Sequence, residues 1–583
     1  MFVVRNVRAR WLVLGLAAAV VVVLAALAWV GVRAILAKKE LDAVTSRIGE
    51  LQQAVGDQDL DTLTAIARDV APHIAQAEAL TSDPVWRATE VVPLLGANLT
   101  AARVASAQLD VLVGDLALPL AEQLPALSDG GGGIDVGALQ NVAQTLRGAD
   151  AALQASQHEL DDLDLDGVLP AVADGVRQLE KVTDQVAPVV HDVAPFARIA
   201  PGLLGADGPR HILVIAQNNA ELRTGGGISG SFVELTADKG KITLGGVISD
   251  AAFTPSEKPV AKVPKSTTKL YGDVVGRYVQ NTTSPADFTV TAKLALAWWA
   301  KHSDHKPDLV LSIDTVVLAS LLQATGPVDV KGVTLTSKNA LHELLTVPYL
   351  TMSAEQQDIF FESVAKKVFH RAFGGDTGVV ALAWALQRPL TEGRISAWSP
   401  AADEQRVLHG SVVGGPAARH EKAGVDAYAV YFSDGTGSKM DQFLKTSIAT
   451  GTAECRDDGH RTVSIRVGLH STAPHDAETL PVSMTGGGFF GTPAGNIRTL
   501  VSVAAPADSF FAGVYVDGKL TASPDIVDAG FPTSVATVFL SPGEKKDVEF
   551  RFISAEPGEV NPTVLHTPTM NVPKIYTAPA ECD

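Results

Sequence analysis

The sequence predicts a multidomain chain: an N-terminal transmembrane helix, an α-helical bundle stalk, an α/β mixed-sheet domain and a C-terminal β-sandwich. Three observations lead there. An uncharged run, "WLVLGLAAAVVVVLAALAWVGV", occupies residues 11–32. Apolar stripes at helical spacing follow as far as residue 186, and the chain then changes character at a Gly/Pro linker, residues 201–209. With 583 residues the chain is too long for one hydrophobic core.

As a helix, residues 11–32 span about 33 Å, enough to cross a bilayer. Trp11 and Trp29 lie near the two ends, where aromatic rings favour the interface. A cleaved signal peptide would have a shorter apolar core and a small-residue cleavage site, and neither is present. Arg5, Arg8 and Arg10 precede the run, while Arg33, Lys38 and Lys39 follow it, so the flanking charges tie. A short basic tail ahead of a first helix usually stays cytoplasmic. The expectation is a cytoplasmic tail at 1–10, a single span at 11–32, and the bulk of the chain extracytoplasmic at the cell membrane.

The stalk is assigned to residues 33–200. Leu41, Val44, Ile48, Leu51 and Val55 alternate steps of three and four, the pattern of a helix with one packed face. Asp83-Pro84 reads as an N-cap followed by a first helical residue. Further stripes run through Leu139, Val142, Leu146 and Leu153, and through Leu169, Val172, Val176 and Leu179. Helices joined by short connections imply an antiparallel bundle.

Residues 209–446 alternate strands with helices, which indicates an α/β domain with a mixed sheet. "DKG" (238–240) joins two strand-like runs as a hairpin turn. The polar stretch 250–288 is long enough to suggest a functional or disordered loop. Beyond 447 helical periodicity stops, and short alternating strands between Gly/Pro turns suggest a β-sandwich over 447–583.

The net charge of −18 argues against a nucleic-acid partner, whose phosphates need a basic surface. The only cysteines, Cys455 and Cys582, cannot by themselves build a zinc site. They read either as two unrelated buried thiols or as a disulfide closing the C-terminal domain, which an oxidising exterior would permit.

The most unusual wording is "QNNAELRTGGGISGSFVEL" (217–235). Its G-x-G-x-x-G is followed by a strand instead of opening a helix, which argues against a dinucleotide site. Two readings stay open. In one, Asn218, Asn219, Glu221, Arg223, Thr224, Gly225 and Gly226 form an anion-binding loop, with glycine amides converging on the ligand and a guanidinium gripping it. In the other, Glu221 and Arg223 pair locally and the glycines fill a tight turn.

"NNAELRTGGGISGSF", "DKGKI" and "DTVVLASLLQATGPVDV" resemble a bacterial domain-of-unknown-function family, numbered 4012. "DPVWRATEVVPLLGANL" and "DAYAVYFSDGTGSKMDQFL" are similar to its flanking wording. The family brings no established activity. A weaker similarity, in the order of strand, arginine loop, hairpin, insertion and "Ile-Asp … Gly-Pro-Val", is to the LytR–CpsA–Psr envelope family. That resemblance implies transfer of glycopolymers from polyprenyl pyrophosphate lipids, with arginines on the pyrophosphate and aspartates on a divalent metal. Arg223 would match one such arginine, but Asn218 and Asn219 stand where an acidic residue would be wanted. The expectation is a cell-envelope protein that binds or transfers a phosphorylated or lipid-linked glycopolymer. The rival is a non-catalytic scaffold for other envelope proteins.

Overall fold

A computed structural model of the chain describes residues 3–57, 59–93, 95–128, 131–375 and 377–578. They divide into two compact units: Met1–Leu127 with Asp135–Pro201, and Ser128–Ile134 with Gly202–Asp583.

The first unit is helical. Helix α1 (Val3–Thr45) contains the apolar run and continues past it without a break. The stretch from Val20 onward is long and apolar enough to cross a membrane. Then come α2 (Ile48–Asp57), α3 (Leu60–Thr81), α4 (Pro84–Thr89) and α5 (Gly96–Asp110). A short π-helical turn leads to α6 (Leu118–Gln123), followed by α7 (Val136–Asp161) and α8 (Pro170–Leu203). Asp83 caps α4 as expected: its side chain accepts from the Trp86 amide, and Pro84 is the first helical residue. The stripe through Ile66, Val70 and Ile74 is buried, packed among Ala54, Val44 and Leu63. The stretch Gly96–Leu127 also passes the length and composition test for a membrane span, yet it carries Arg103, Asp110 and Asp115, and Gln108 donates to Thr183 across a buried 3.0 Å contact within the bundle.

The second unit opens with the hairpin β1 (Arg210–Arg223) and β2 (Gly226–Asp238), extended by β3 (Lys241–Ser249). The "DKG" turn joins β2 to β3 with Lys239 and Gly240 both at positive φ, 49° and 82°, which suits a tight two-residue hairpin. After helices α9 (Lys265–Tyr271) and α10 (Phe288–Trp299), strand β4 (Leu309–Ile313) returns parallel to β1. Helix α11 (Thr315–Thr325) leads to a small hairpin, β5 (Val328–Val330) and β6 (Val333–Leu335). Helices then run from residue 340 to residue 391, and β7 (Ile395–Trp398) closes the edge. The resulting sheet has the order β3-β2-β1-β4-β7 and is mixed. One face buries Leu213, Ile215 and Phe232 against Phe288, Trp298 and Trp299 of α10.

The 250–288 stretch is packed structure, not a polar loop. Thr267 of α9 is buried and donates to Asp528 at 2.8 Å, and Tyr271 meets Ser502 at 3.0 Å. Apolar side chains such as Phe253, Leu270 and Val279 seat the segment, and they were outvoted in the sequence by its lysines and prolines.

The C-terminal strands do not begin at 447. Strand β8 (Ala427–Asp434) joins β9 (Leu444–Cys455), β10 (Arg461–Ser471), β11 (Ile497–Ala504), β12 (Phe510–Val516), β13 (Lys519–Thr521) and β14 (Ile526–Asp528). The set ends with β15 (Phe531–Leu540), β16 (Lys545–Ile553), β17 (Thr563–His566) and β18 (Lys574–Thr577). Where a β-sandwich is expected over 447–583 the strands form two open sheets, ordered β13-β12-β16-β10-β9-β18 and β14-β15-β11-β8-β17, the second of which takes in β8. Tyr428, Val430 and Phe432 of β8 share one core with Val463, Ile465, Phe550 and Phe552. Strand β8 is buried along its whole length, and such a run reads as continuously apolar, with no alternation to say which sheet it joins.

Cys582 lies outside the described residues, so the expected bridge to Cys455 stays an expectation. A bridge would close a loop for which the chain-entropy model gives roughly 5 kcal/mol. Alkylation of the denatured, unreduced protein should label neither cysteine, and labelling of both would contradict the pairing.

Candidate functional site

The segment "NNAELRTGGG" is the end of β1, a two-residue turn and the start of β2. Pairing runs regularly to Ala216↔Ser231, slips past Gly230 to Gln217↔Ser229 and Asn218↔Ile228, and resumes at Leu222↔Gly227, so Asn219, Ala220 and Glu221 bulge out of the ladder. A bulge of this kind redirects side chains, and here it turns them inward. Asn218, Asn219, Glu221, Arg223 and Thr224 are all buried.

The glycines serve the protein's own close contacts. A Cβ on Gly227 would lie 2.1 Å from the Asn218 carbonyl oxygen. One on Gly226, at φ 133°, would lie 2.5 Å from Oε1 of Gln217. The Gly225 amide donates to the Thr283 carbonyl at 3.1 Å, and the Gly227 amide to Gln217 Oε1 at 2.6 Å. These amides are spent internally and do not form an anion cradle. Sequence could not separate the two uses of glycine, because approach to a ligand and approach to a neighbouring carbonyl need the same missing Cβ.

Arg223 is equally committed. Its Nε donates to Asn281 Oδ1 at 2.8 Å and its Nη1 to the Leu222 and Asp434 carbonyls at 2.7 and 3.4 Å. Its Nη2 donates to Glu221 Oε1 at 3.1 Å. That is four hydrogen bonds against the five N–H groups of a guanidinium. Glu221 takes a second cation on its other oxygen, Lys439 Nζ, at 2.5 Å. Burial alone would raise the Glu221 carboxyl, but Lys439 and then Arg223 outweigh it and hold it below its ordinary value.

Two more carboxylates complete this cluster. Asp441 Oδ2 accepts the Leu222 amide at 2.7 Å, and its Oδ1 is buried without a partner. Asp434 accepts the Thr436 and Gly437 amides at 2.9 and 2.5 Å. Burial, with Glu221 adding, pushes Asp434 up to about 6, and burial together with Asp434 pushes Asp441 well above the carboxylate range. Three acids facing two cations cannot all ionise cheaply in one buried site.

A second buried pair lies at the end of β4. Asp314 caps α11 by accepting the Val316 and Val317 amides on Oδ1, while Oδ2 takes Arg394 Nη1 at 2.6 Å and Asn219 Nδ2 at 3.1 Å. Asn218 donates to the Tyr349 hydroxyl at 2.5 Å, so the paired asparagines are structural clasps on separate partners.

Two cavities border this cluster. The larger, about 860 Å³, is lined by the charged side chains of Glu221, Arg223, Asp434, Lys439 and Arg498 and by the rings of Phe253, Tyr271, Tyr278, Phe490 and Phe539. Ser433 also lines it, with a buried Oγ that has no hydrogen-bond partner. The smaller, about 350 Å³, is lined by Asn218, Asp314, Tyr349, Asp358 and Glu362. Lys439 and Asp250 line both. Among the described residues no group of three or more His, Cys, Asp or Glu side chains is placed to hold a metal ion.

Of the expected ligand-binding residues, Glu221 and Arg223 reach the larger cavity and Asn218 the smaller. Asn219, Thr224, Gly225 and Gly226 line neither. Sequence reasoning missed Asp314, Arg394, Asp434, Lys439, Asp441 and Arg498. Asp434, Lys439 and Asp441 stand in "SDGTGSKMD", which opens on the last two residues of β8, and polar residues crowded at the end of a buried strand are a signal that could have found them.

Residues 207–349 match the model of a family described as a protein of unknown function, DUF4012. The match spans the hairpin, the bulge, Asp314 and Tyr349, and stops short of Arg394, Asp434, Lys439 and Asp441. No match supports the LytR–CpsA–Psr likeness, and none of the curated proteins matches the chain.

Because Asp434 and Asp441 hold protons more tightly in the fold than in the unfolded chain, the stability they contribute is complete below their ordinary value of 3.8 and is lost as pH rises, through about 6 for Asp434. Chemical denaturation of the wild type should therefore show this loss between pH 4 and pH 7. Asp441→Asn, which keeps the acceptor for the Leu222 amide, should flatten that dependence and gain on the order of 1–2 kcal/mol at pH 7. An unchanged slope with lower stability at every pH would refute the assignment.

Proposed function

We propose that the chain is a membrane-anchored cell-envelope protein that binds a phosphorylated or polyprenyl-pyrophosphate-linked glycopolymer in the larger cavity. The observation that carries this reading is the composition of that cavity, whose lining combines Arg223, Lys439 and Arg498 with the rings of Phe253, Tyr271, Tyr278, Phe490 and Phe539. Its volume lies in the range of small-ligand sites. Such a lining suits an amphiphile with an anionic head, and an apolar helix able to hold the chain at a bilayer would keep it near such lipids.

The anionic head is better matched to Arg498 and Lys439 than to Arg223. Arg498 lines the cavity and donates from Nη2 to the Gly435 carbonyl, and it takes part in none of the buried ion pairs around Glu221. Lys439 gives one contact to Glu221 and retains further donors. Binding is favoured over transfer, because the buried carboxylates are occupied in holding the two cations and the backbone.

Farnesyl pyrophosphate and inorganic pyrophosphate serve as probes of the detergent-purified full chain by titration calorimetry. Losing a charge-assisted contact removes about 1.5–3 kcal/mol. Arg498→Gln should accordingly weaken both probes by roughly ten- to hundred-fold. Phe490→Ala should weaken farnesyl pyrophosphate and leave inorganic pyrophosphate unchanged. A folded protein that binds neither probe would refute the reading and leave the non-catalytic scaffold in its place.

A further inference from the structure

The end of the helical unit beside the bilayer-spanning segment carries exposed apolar side chains that packing does not use. The C-terminal part of α1 and α3 run antiparallel, joined by His73 on Glu40 at 2.6 Å and Arg47 on Asp69 at 2.8 Å. Nearer the apolar run, Arg33 Nη1 donates to the Ala79 and Leu80 carbonyls at 3.0 and 3.1 Å, capping the C-terminal end of α3. Arg33 Nε meets Asp83 at 2.7 Å, and Trp29 Nε1 donates to the same carboxylate at 2.9 Å. The elbow between α3 and α4 is thereby fixed beside residues 29–33, where the predicted span at 11–32 leaves the bilayer.

Beyond the elbow, apolar side chains face outward. Val91 is 83% exposed, Leu95 50% and Val85 38%. The α7–α8 connection lies at the same end, because Asn98 Oδ1 accepts the Leu169 amide at 2.7 Å, and Leu169 is 63% exposed. Single exposed apolar residues are ordinary, but four at the end of the bundle where Trp29 holds the α3–α4 elbow are a patch.

We infer that this end, centred on Val91, Leu95 and Leu169, lies in the bilayer interface and makes a second membrane contact in addition to the spanning helix. The occupant is lipid because the patch continues the level at which α1 itself leaves the apolar phase. Anionic headgroups do not drive the contact. Asp161 ends α7, and Asp162, Asp164 and Asp166 sit in the connection leading to Leu169, so burial of apolar surface supplies the attraction. The inference rests on reading residues 11–32 as a bilayer span.

The test is collision accessibility of nitroxide labels, oxygen against a nickel chelate, on the full chain in phosphatidylcholine vesicles, with the unsubstituted chain as blank. Labels go on Val91→Cys and Leu95→Cys, on Val22→Cys inside the span, and on Val425→Cys, which is 88% exposed in the second unit. The substituted positions are exposed, so folding is preserved. Labels at 91 and 95 should favour oxygen several-fold more than the label at 425, and less than the label at 22. If 22 reports lipid while 91 and 95 match 425, the interfacial contact is overturned and the anchor stands. A water-accessible 22 overturns anchor and contact together. Spin–spin broadening at 91 that disappears on dilution with unlabelled chain, without oxygen preference, would show a second copy on the patch and would likewise overturn the lipid assignment.

Discussion

Glu221 is the constraint on which the architecture of the second unit depends. Its carboxylate holds Arg223 on one oxygen and Lys439 on the other, in a buried site. An ionised group in that position is tolerable only if it is paired and its remaining lone pairs are satisfied. The pairing therefore fixes the bulge of β1 against the connection between β8 and β9, more than two hundred residues later in the chain. Leu222 adds a second tie through Asp441, and the Arg223 guanidinium a third through the Asp434 carbonyl. The mixed sheet and the C-terminal sheets are joined by this polar seam, and the larger cavity opens along it.

The seam also explains why a conspicuous motif was legible and its chemistry was not. Helix periodicity, the Asp83-Pro84 start and the "DKG" hairpin are local signals, and all three are observed because neighbours within a few residues decide them. The importance of "NNAELRTGGG" was equally plain. Its role was not, because its partners Asn281, Asp434, Lys439 and Asp441 are supplied by distant elements that no periodicity connects to β1. Of the two readings of Arg223 left open by the residues, the geometry favours local pairing with Glu221, widened by Lys439. Strand β8 shows the same limit: its apolar run announced a buried strand and could not say which sheet would bury it.

The first unit obeys a simpler logic. Arg33 and Trp29, which read as flanks of an apolar span, are also the groups that hold the α3–α4 elbow. One short stretch thus ends the apolar helix and organises the bundle that continues from it. In the second unit the cations closest to the candidate cavity differ in the same way: Arg223 is consumed by structure, whereas Arg498 stands apart from the buried pairs.

The most direct measurement is a double-mutant cycle on Glu221 and Lys439 by chemical denaturation, using Glu221→Gln, Lys439→Met and the pair. Removing one partner of a buried ion pair typically costs about 3–5 kcal/mol. The account predicts that the second substitution recovers a large part of that loss, with a coupling of about 2 kcal/mol or more. Effects that add within about 0.5 kcal/mol, the behaviour of independent sites, would contradict a shared buried carboxylate as the constraint that holds this fold together.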